Sequence, residues 1–245
     1  MSAAQVKELR ERTGAGILDC KKALEEANGD IEKAVDILRQ KGIAKAQKKQ
    51  SRIAAEGLTA IYEKENKAVI LEVNSETDFV SKNDKFKDLI ANIGNTVLNS
   101  NAKTLEEAME LKYNDGTIND YIIAETAVIG EKLSFRRFEL VEKADDENFG
   151  IYIHLGGKIS TLAKVKGGDK ALAKSLAMQI TAMNPKYMTE EEVPEEVKAR
   201  EMSVIKEQIA NEKKDVTAEV AEKMANGRLN KFFKEICLLD QEYID

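Results

Sequence analysis

The chain has one histidine, two cysteines, two prolines and no tryptophan. Each scarcity counts against a class of chemistry. A metal site needs His, Cys and carboxylates at ligand spacing, and the sequence has no HExxH helix and no clustered cysteines. Cys20 and Cys237 lie far apart with no CxxC, so a disulfide framework or zinc site is not expected and reduced cytosolic thiols are the simple reading. So few prolines argue against a Pro-rich linker, and without tryptophan there is no carbohydrate-type aromatic platform. Met1-Ser2-Ala3-Ala4-Gln5 lacks the charged start and apolar run of a leader, and no stretch reaches the roughly 18 apolar residues of a membrane span. A cytoplasmic protein with no membrane contact is expected. The net charge of −6 disfavours direct nucleic-acid binding, because phosphate recognition needs a basic surface. Lys45 to Arg52 is a local basic exception.

What is present reads as α+β. Among 245 residues, 42% are hydrophobic and 33% charged, ordinary for a helix-rich globular chain. Residues 1–42 read as a three-helix unit. Gly14-Ala15-Gly16 separates the first helix from the second, Asn28-Gly29 ends the second, and Asp30 caps the third. Ile31, Ala34, Val35 and Leu38 then follow at one-face helical spacing. Residues 43–54 are a basic connector, read either as a solvated linker or helix or as a contact for an anionic partner. Residues 55–131 form a first core half. A hairpin joins Gly57–Tyr62 to Lys67–Val73 over the four residues Glu63 to Asn66. A helix then carries Phe86, Leu89, Ile90, Ile93, Val97 and Leu98 in one stripe.

Residues 132–186 repeat the plan as a second core half. It comprises a strand over Leu133–Val141, a hairpin across Gly156-Gly157-Lys158, and a helix capped by Asp169 with Leu172, Leu176, Ile180 and Met183 on one face. Residues 187–236 read as two long polar helices, Thr189–Asn211 and Val216–Ile236, forming a projecting antiparallel hairpin. Residues 237–245 begin a return to the core.

No catalytic constellation emerges. His154 lies in a strand without a GxSxG elbow to pair with. Gly14-Ala15-Gly16 lacks the third glycine and preceding strand of a dinucleotide fingerprint. Gly156-Gly157-Lys158 lacks the Ser or Thr of a phosphate loop. Two apolar features stand out instead. The connection after the first hairpin, Thr77-Asp78-Phe79-Val80, places an aromatic beside a carboxylate where chains run over surfaces. Ile17-Leu18 opens the second helix, and adjacent residues on a helix face different ways, so one of them is expected to point outward. These features favour a protein-binding module. An interaction adaptor and an enzyme centred on His154 remain as alternatives.

Three stretches in order resemble the bacterial translation elongation factor Ts family: Val6 to Leu24 with Glu26-Ala27-Asn28-Gly29-Asp30, Leu71 to Val80, and Ile129 to Arg137. The resemblance covers nearly the whole chain. It implies a non-catalytic guanine-nucleotide exchange factor that binds elongation factor Tu, GDP-bound and nucleotide-free, without a cofactor. It implies a ubiquitin-associated-like helical domain, a two-part α+β core and a helical hairpin through which a homodimer is possible. By resemblance, Thr77, Asp78, Phe79 and Val80 enter the GTPase domain and disturb its magnesium site. Arg10, Ile17, Leu18 and Lys21 pack on the same domain. Ile129 and Gly130 match a core contact, and His154 matches a histidine near the partner's third domain. The chain departs from the pattern in two places. Ile17 and Leu18 stand where some members have methionine. Gln241-Glu242-Tyr243 stands where the family usually has Gln-Pro-Phe, before a continuation through the second core half and a C-terminal helical module. That continuation is expected to be missing here.

Overall fold

Ser2 opens the first helix, α1 (Ala3–Thr13), with a reciprocal cap. Its hydroxyl accepts the Gln5 amide at 3.2 Å, and the Gln5 side chain accepts the Ser2 amide at 2.9 Å. Gly14 ends α1 at φ +67°, a conformation that suits glycine. α2 (Ile17–Glu26) and α3 (Ile31–Lys49) follow, with Asp30 accepting the Lys33 amide at 3.2 Å. The small core of this unit is Leu9, Cys20, Ala23, Leu24, Ala27 and Ala34. The computed structural model describes residues 2–212 and 217–244.

α3 does not stop at residue 42, where a change from helical unit to connector is expected. It runs on through most of the basic stretch as helix. Gly42 is buried, and a Cβ there would lie 3.1 Å from the Cβ of Ala127. The glycine therefore lets α3 lie close against α7 (Ile118–Ile129).

β1 (Glu56–Lys64) and β2 (Lys67–Ser75) pair antiparallel out to Lys64 opposite Lys67. The connection is thus the tight Glu65-Asn66 turn, not the expected four-residue loop, and Glu65 absorbs it at φ +55°. A one-turn helix, α4 (Asp78–Lys82), leads into α5 (Asp84–Leu98), which Asn83 caps. The predicted stripe Phe86, Leu89, Ile90, Ile93, Val97 and Leu98 is the buried face of α5. α6 (Leu105–Met109), a short ribbon of β3 (Lys112–Tyr113) and β4 (Gly116–Thr117), and α7 complete this layer.

β5 (Ser134–Glu142) corrects the expected grouping. It pairs with β2, giving the order β1-β2-β5, and does not head the second repeat. Its Phe135, Phe138 and Leu140 join Val69, Leu71 and Val73 of β2 in the core covered by α5. Shared burial on one face of the sheet decides this pairing.

The second hairpin is β6 (Glu147–His154) with β7 (Ile159–Lys166), backed by α8 (Lys170–Met183). Asp169 caps α8 by accepting the Leu172 amide at 2.8 Å. The buried face of α8 is not the predicted leucine stripe. Ala173, Ala177 and Gln179 are buried, whereas Leu172 is 47% exposed. The backbones approach too closely for large side chains: a Cβ on Gly150 would lie 1.9 Å from the Ala173 carbonyl oxygen.

α9 (Glu195–Glu212) and α10 (Ala218–Ile236) pack through a narrow seam of Met202, Ile205, Ile209, Ala221, Met224, Ala225 and Leu229. Val193 meets Phe233, Ile236 and Cys237 at the base, so the pair runs antiparallel. The stretch from Glu190 to Glu192 is a 3₁₀ turn before α9, and the expected helix start at Val216 lies outside the described residues. The chain then returns to α8, where the Gln179 amide donates to the Glu242 carbonyl and accepts the Ile244 amide, each at 2.9 Å. Among the described residues no helix is long and apolar enough to cross a membrane.

Gly150→Ala forces a methyl into backbone atoms that have no room to move. The variant is expected to lose about 3 kcal/mol of stability by overpacking, read as a lower urea midpoint. Wild-type stability in that variant would show that β6 and α8 are not held so close.

Candidate partner-binding tip

Thr77 caps α4: its hydroxyl accepts the Val80 amide at 3.5 Å. Asp78 occupies the first turn, where the helix dipole favours an anion, and Lys82 one turn on pairs with it at 2.7 Å. That hydrogen bond holds the Asp78 carboxyl below the usual aspartate range. The expected loop is therefore a helical turn. A five-residue helix is not stable alone, so neighbours must hold it. The buried Ser75 donates its hydroxyl to the Thr77 carbonyl, and the buried Ser81 to the Asp78 carbonyl, both at 3.0 Å. Val80 packs on the main core. Phe79 is left outside, 83% exposed.

A second segment grips the tip from the end of α7. The Glu131 carboxylate accepts the Thr77 amide at 3.0 Å and the Thr77 hydroxyl at 2.7 Å. In return, Glu76 accepts the Lys132 amide at 2.6 Å. This backbone donor holds the Glu76 carboxyl below the ordinary range, and the Arg52 guanidinium, 3.2 Å away, adds to the effect. The Lys132 ammonium donates to the carbonyls of Gln50 and Arg52 at 2.6 and 2.9 Å. Lys49 donates to the Gly130 carbonyl, and burial with the nearby Arg52 pushes its ammonium below the usual lysine range.

The structure thus brings Thr77, Asp78, Phe79 and Val80 beside the corner at Ile129 and Gly130. Gly130 is exposed and ends α7 at φ +87°, while Ile129 packs partly into the core. Arg10, Ile17 and Lys21 line one shallow groove together with Val6 and Glu25. Ile17 is 56% and Leu18 73% exposed, so both face outward where one was expected to. They precede the buried face of α2, which begins at Cys20. His154 lies apart, in a cleft with Tyr152, Ser175, Met178 and Tyr243. Its ring stacks on Tyr152, and its Nδ1 lies 3.2 Å from the Tyr152 hydroxyl. That contact makes no serine–histidine pair of the kind nucleophilic catalysis requires.

Large apolar side chains thus stand exposed at two places, the α4 turn and the start of α2, each beside charged residues. Comparison with known proteins gives the particular family. The family model described as Elongation factor TS matches residues 76–245. Elongation factor Ts of Limosilactobacillus fermentum is 50% identical over 244 residues, covering 100% of this chain and 83% of the relative. Elongation factor Ts of Lactiplantibacillus plantarum is 49% identical over the same shares. The chain belongs to the elongation factor Ts family.

The reading from sequence singled out the tip but not Glu76, Glu131 or Lys132, which fix it. A cap such as Thr77 is legible from its neighbours. A carboxylate 54 positions away carries no local signal.

The folded state holds Glu76 more acidic than its ordinary value of 4.5. Its contribution to stability is therefore complete above that value and is lost as pH falls through the depressed one. The stability gap between wild type and Glu76→Gln in urea melts is expected to shrink from about pH 7 to about pH 3. A gap that stays constant would show that the carboxylate's charge is not what Lys132 and Arg52 hold.

Proposed function

We propose that this chain is a guanine-nucleotide exchange factor for elongation factor Tu, binding its GDP-loaded and nucleotide-free forms. The exposure of Phe79 on a buttressed turn is the observation that carries the reading. Tightly held nucleotide owes much of its affinity to Mg²⁺ bridging phosphate oxygens. In this reading Phe79 wedges into the GTPase domain while Asp78 perturbs the groups that orient the ion, and Thr77 and Val80 fix the ends of the wedge. No bond of the nucleotide is cut. The factor binds the empty partner better than the loaded one, and by linkage each weakens the other's hold by the same ratio.

Burying a phenylalanine supplies about 1.5–3 kcal/mol, or one to two decades of affinity at about 1.4 kcal/mol each. Larger effects draw on a second contact through Arg10, Ile17, Leu18 and Lys21, a third at Ile129 and Gly130, and one near His154. The basic, exposed Arg10 and Lys21 flanking Ile17 suit an apolar patch rimmed by carboxylates.

Phe79→Ala removes the wedge without touching the core. Stimulated release of fluorescent GDP from elongation factor Tu is expected to fall about 10- to 100-fold, with the thermal melt unchanged. Wild-type release from that variant would refute the wedge.

A further inference from the structure

The aim of the tip rests on a residue outside it. α4 has five residues, too few to hold a direction by themselves. Phe79, being exposed, contributes no packing that would orient the turn. The cap bond from Thr77 to Val80 is long at 3.5 Å. The short bond at the cap is the one Thr77 gives to Glu131 at 2.7 Å, reinforced by the Thr77 amide at 3.0 Å. Both carboxylate oxygens of Glu131 are thereby spent on one residue. Glu131 is itself placed twice over. It follows Gly130, whose left-handed φ of +87° turns the chain sharply off α7, and it precedes Lys132, whose amide is tied to Glu76 at 2.6 Å.

We propose that Glu131 is a positioning residue for nucleotide exchange. It fixes the orientation of α4 and so aims Phe79 and Asp78 at the partner. Through Gly130, held by Lys49, and Lys132, held on the carbonyls of Gln50 and Arg52, the same corner ties that aim to the end of α3. The helical unit and the tip consequently reach the partner as one preset body. This inference rests on the exchange reading above. A tip that samples several directions engages only in the fraction of time it is correctly set, and its apparent strength falls by that fraction.

The test measures fluorescent GDP release from elongation factor Tu over a range of factor concentrations, together with thermal melts. It uses the full chain as wild type, Glu131→Ala, Glu131→Gln, Phe79→Ala and the double variant Glu131→Ala/Phe79→Ala. Glu131→Ala is expected to slow stimulated release about tenfold, the scale of losing hydrogen bonds to a charged group. Glu131→Gln, which keeps one acceptor, is expected to fall between it and wild type. The double variant is expected to be slower than Phe79→Ala by less than the full Glu131 factor, because only Asp78 is then left for Glu131 to aim. A merely structural role would slow the double variant by the full Glu131 factor. Wild-type release from Glu131→Ala beside a slow Phe79→Ala overturns this inference and leaves the exchange reading standing. So does a double variant slower than Phe79→Ala by the full Glu131 factor. A fast Phe79→Ala overturns the exchange reading itself. Should Glu131→Ala not fold, the Gln variant decides the question by the same comparisons.

Discussion

The reciprocal bonding between Glu76-Thr77 and Glu131-Lys132 is the constraint on which the tip depends. Phe79 stands 83% exposed, so packing against its own chain does not hold it. Phe79 leaves about 1.5–3 kcal/mol of burial unrealised within the chain. Polar contacts therefore add to the hold that Val80 gives by packing on the core. Hydrogen bonds to charged groups, at about 1.5–3 kcal/mol each, are of the right size. The two buried serines finish the task from beneath by fixing the Thr77 and Asp78 carbonyls.

The same corner joins the N-terminal helices to the core. A unit of that size, with a small core in which half of the buried residues are alanines, is marginal alone. α3 extends it. Gly42 brings α3 onto Ala127 of α7, and the Lys49–Gly130 and Lys132–Gln50 bonds fasten its far end. The basic stretch that reads in sequence as a connector is thus a strut, with one of its cations and two of its carbonyls spent on the corner at Gly130 to Lys132. Backbone carbonyls at a helix C-terminus are natural acceptors for lysine. That explains why the strut ends beside the tip.

Local chemistry was legible and long-range pairing was not. Asp30 and Asp169 were readable as caps because a cap is set by its immediate neighbours. The α5 stripe was readable because a wide sheet lies beneath it and takes large side chains. The α8 stripe misled because its partner strand comes so close at Gly150 that α8 turns Ala173 toward it rather than a leucine. The placement of β5 was missed for a related reason. Its alternation fits either sheet, and only the shared core of Phe135, Phe138 and the β2 valines chooses between them. At the site, Phe79 was recognisable as an aromatic in a connection, while the carboxylate that binds its neighbour Thr77 comes from just beyond the end of α7.

Exposed apolar groups invite unwanted association unless their surroundings discriminate. Here each is flanked by charge. Phe79 sits between Asp78 and Lys82, which pair with each other across one turn. Ile17 and Leu18 precede Asp19, itself paired with Lys45 at 2.9 Å, and Ile17 shares a groove with Arg10 and Lys21. A purely apolar pocket would have to desolvate these charges to reach the ring, at a cost that offsets the burial gained. A pocket carrying charged groups of its own would compensate them. In the exchange reading proposed above, the flanking ions favour an apolar crevice beside charged groups over a purely apolar pocket.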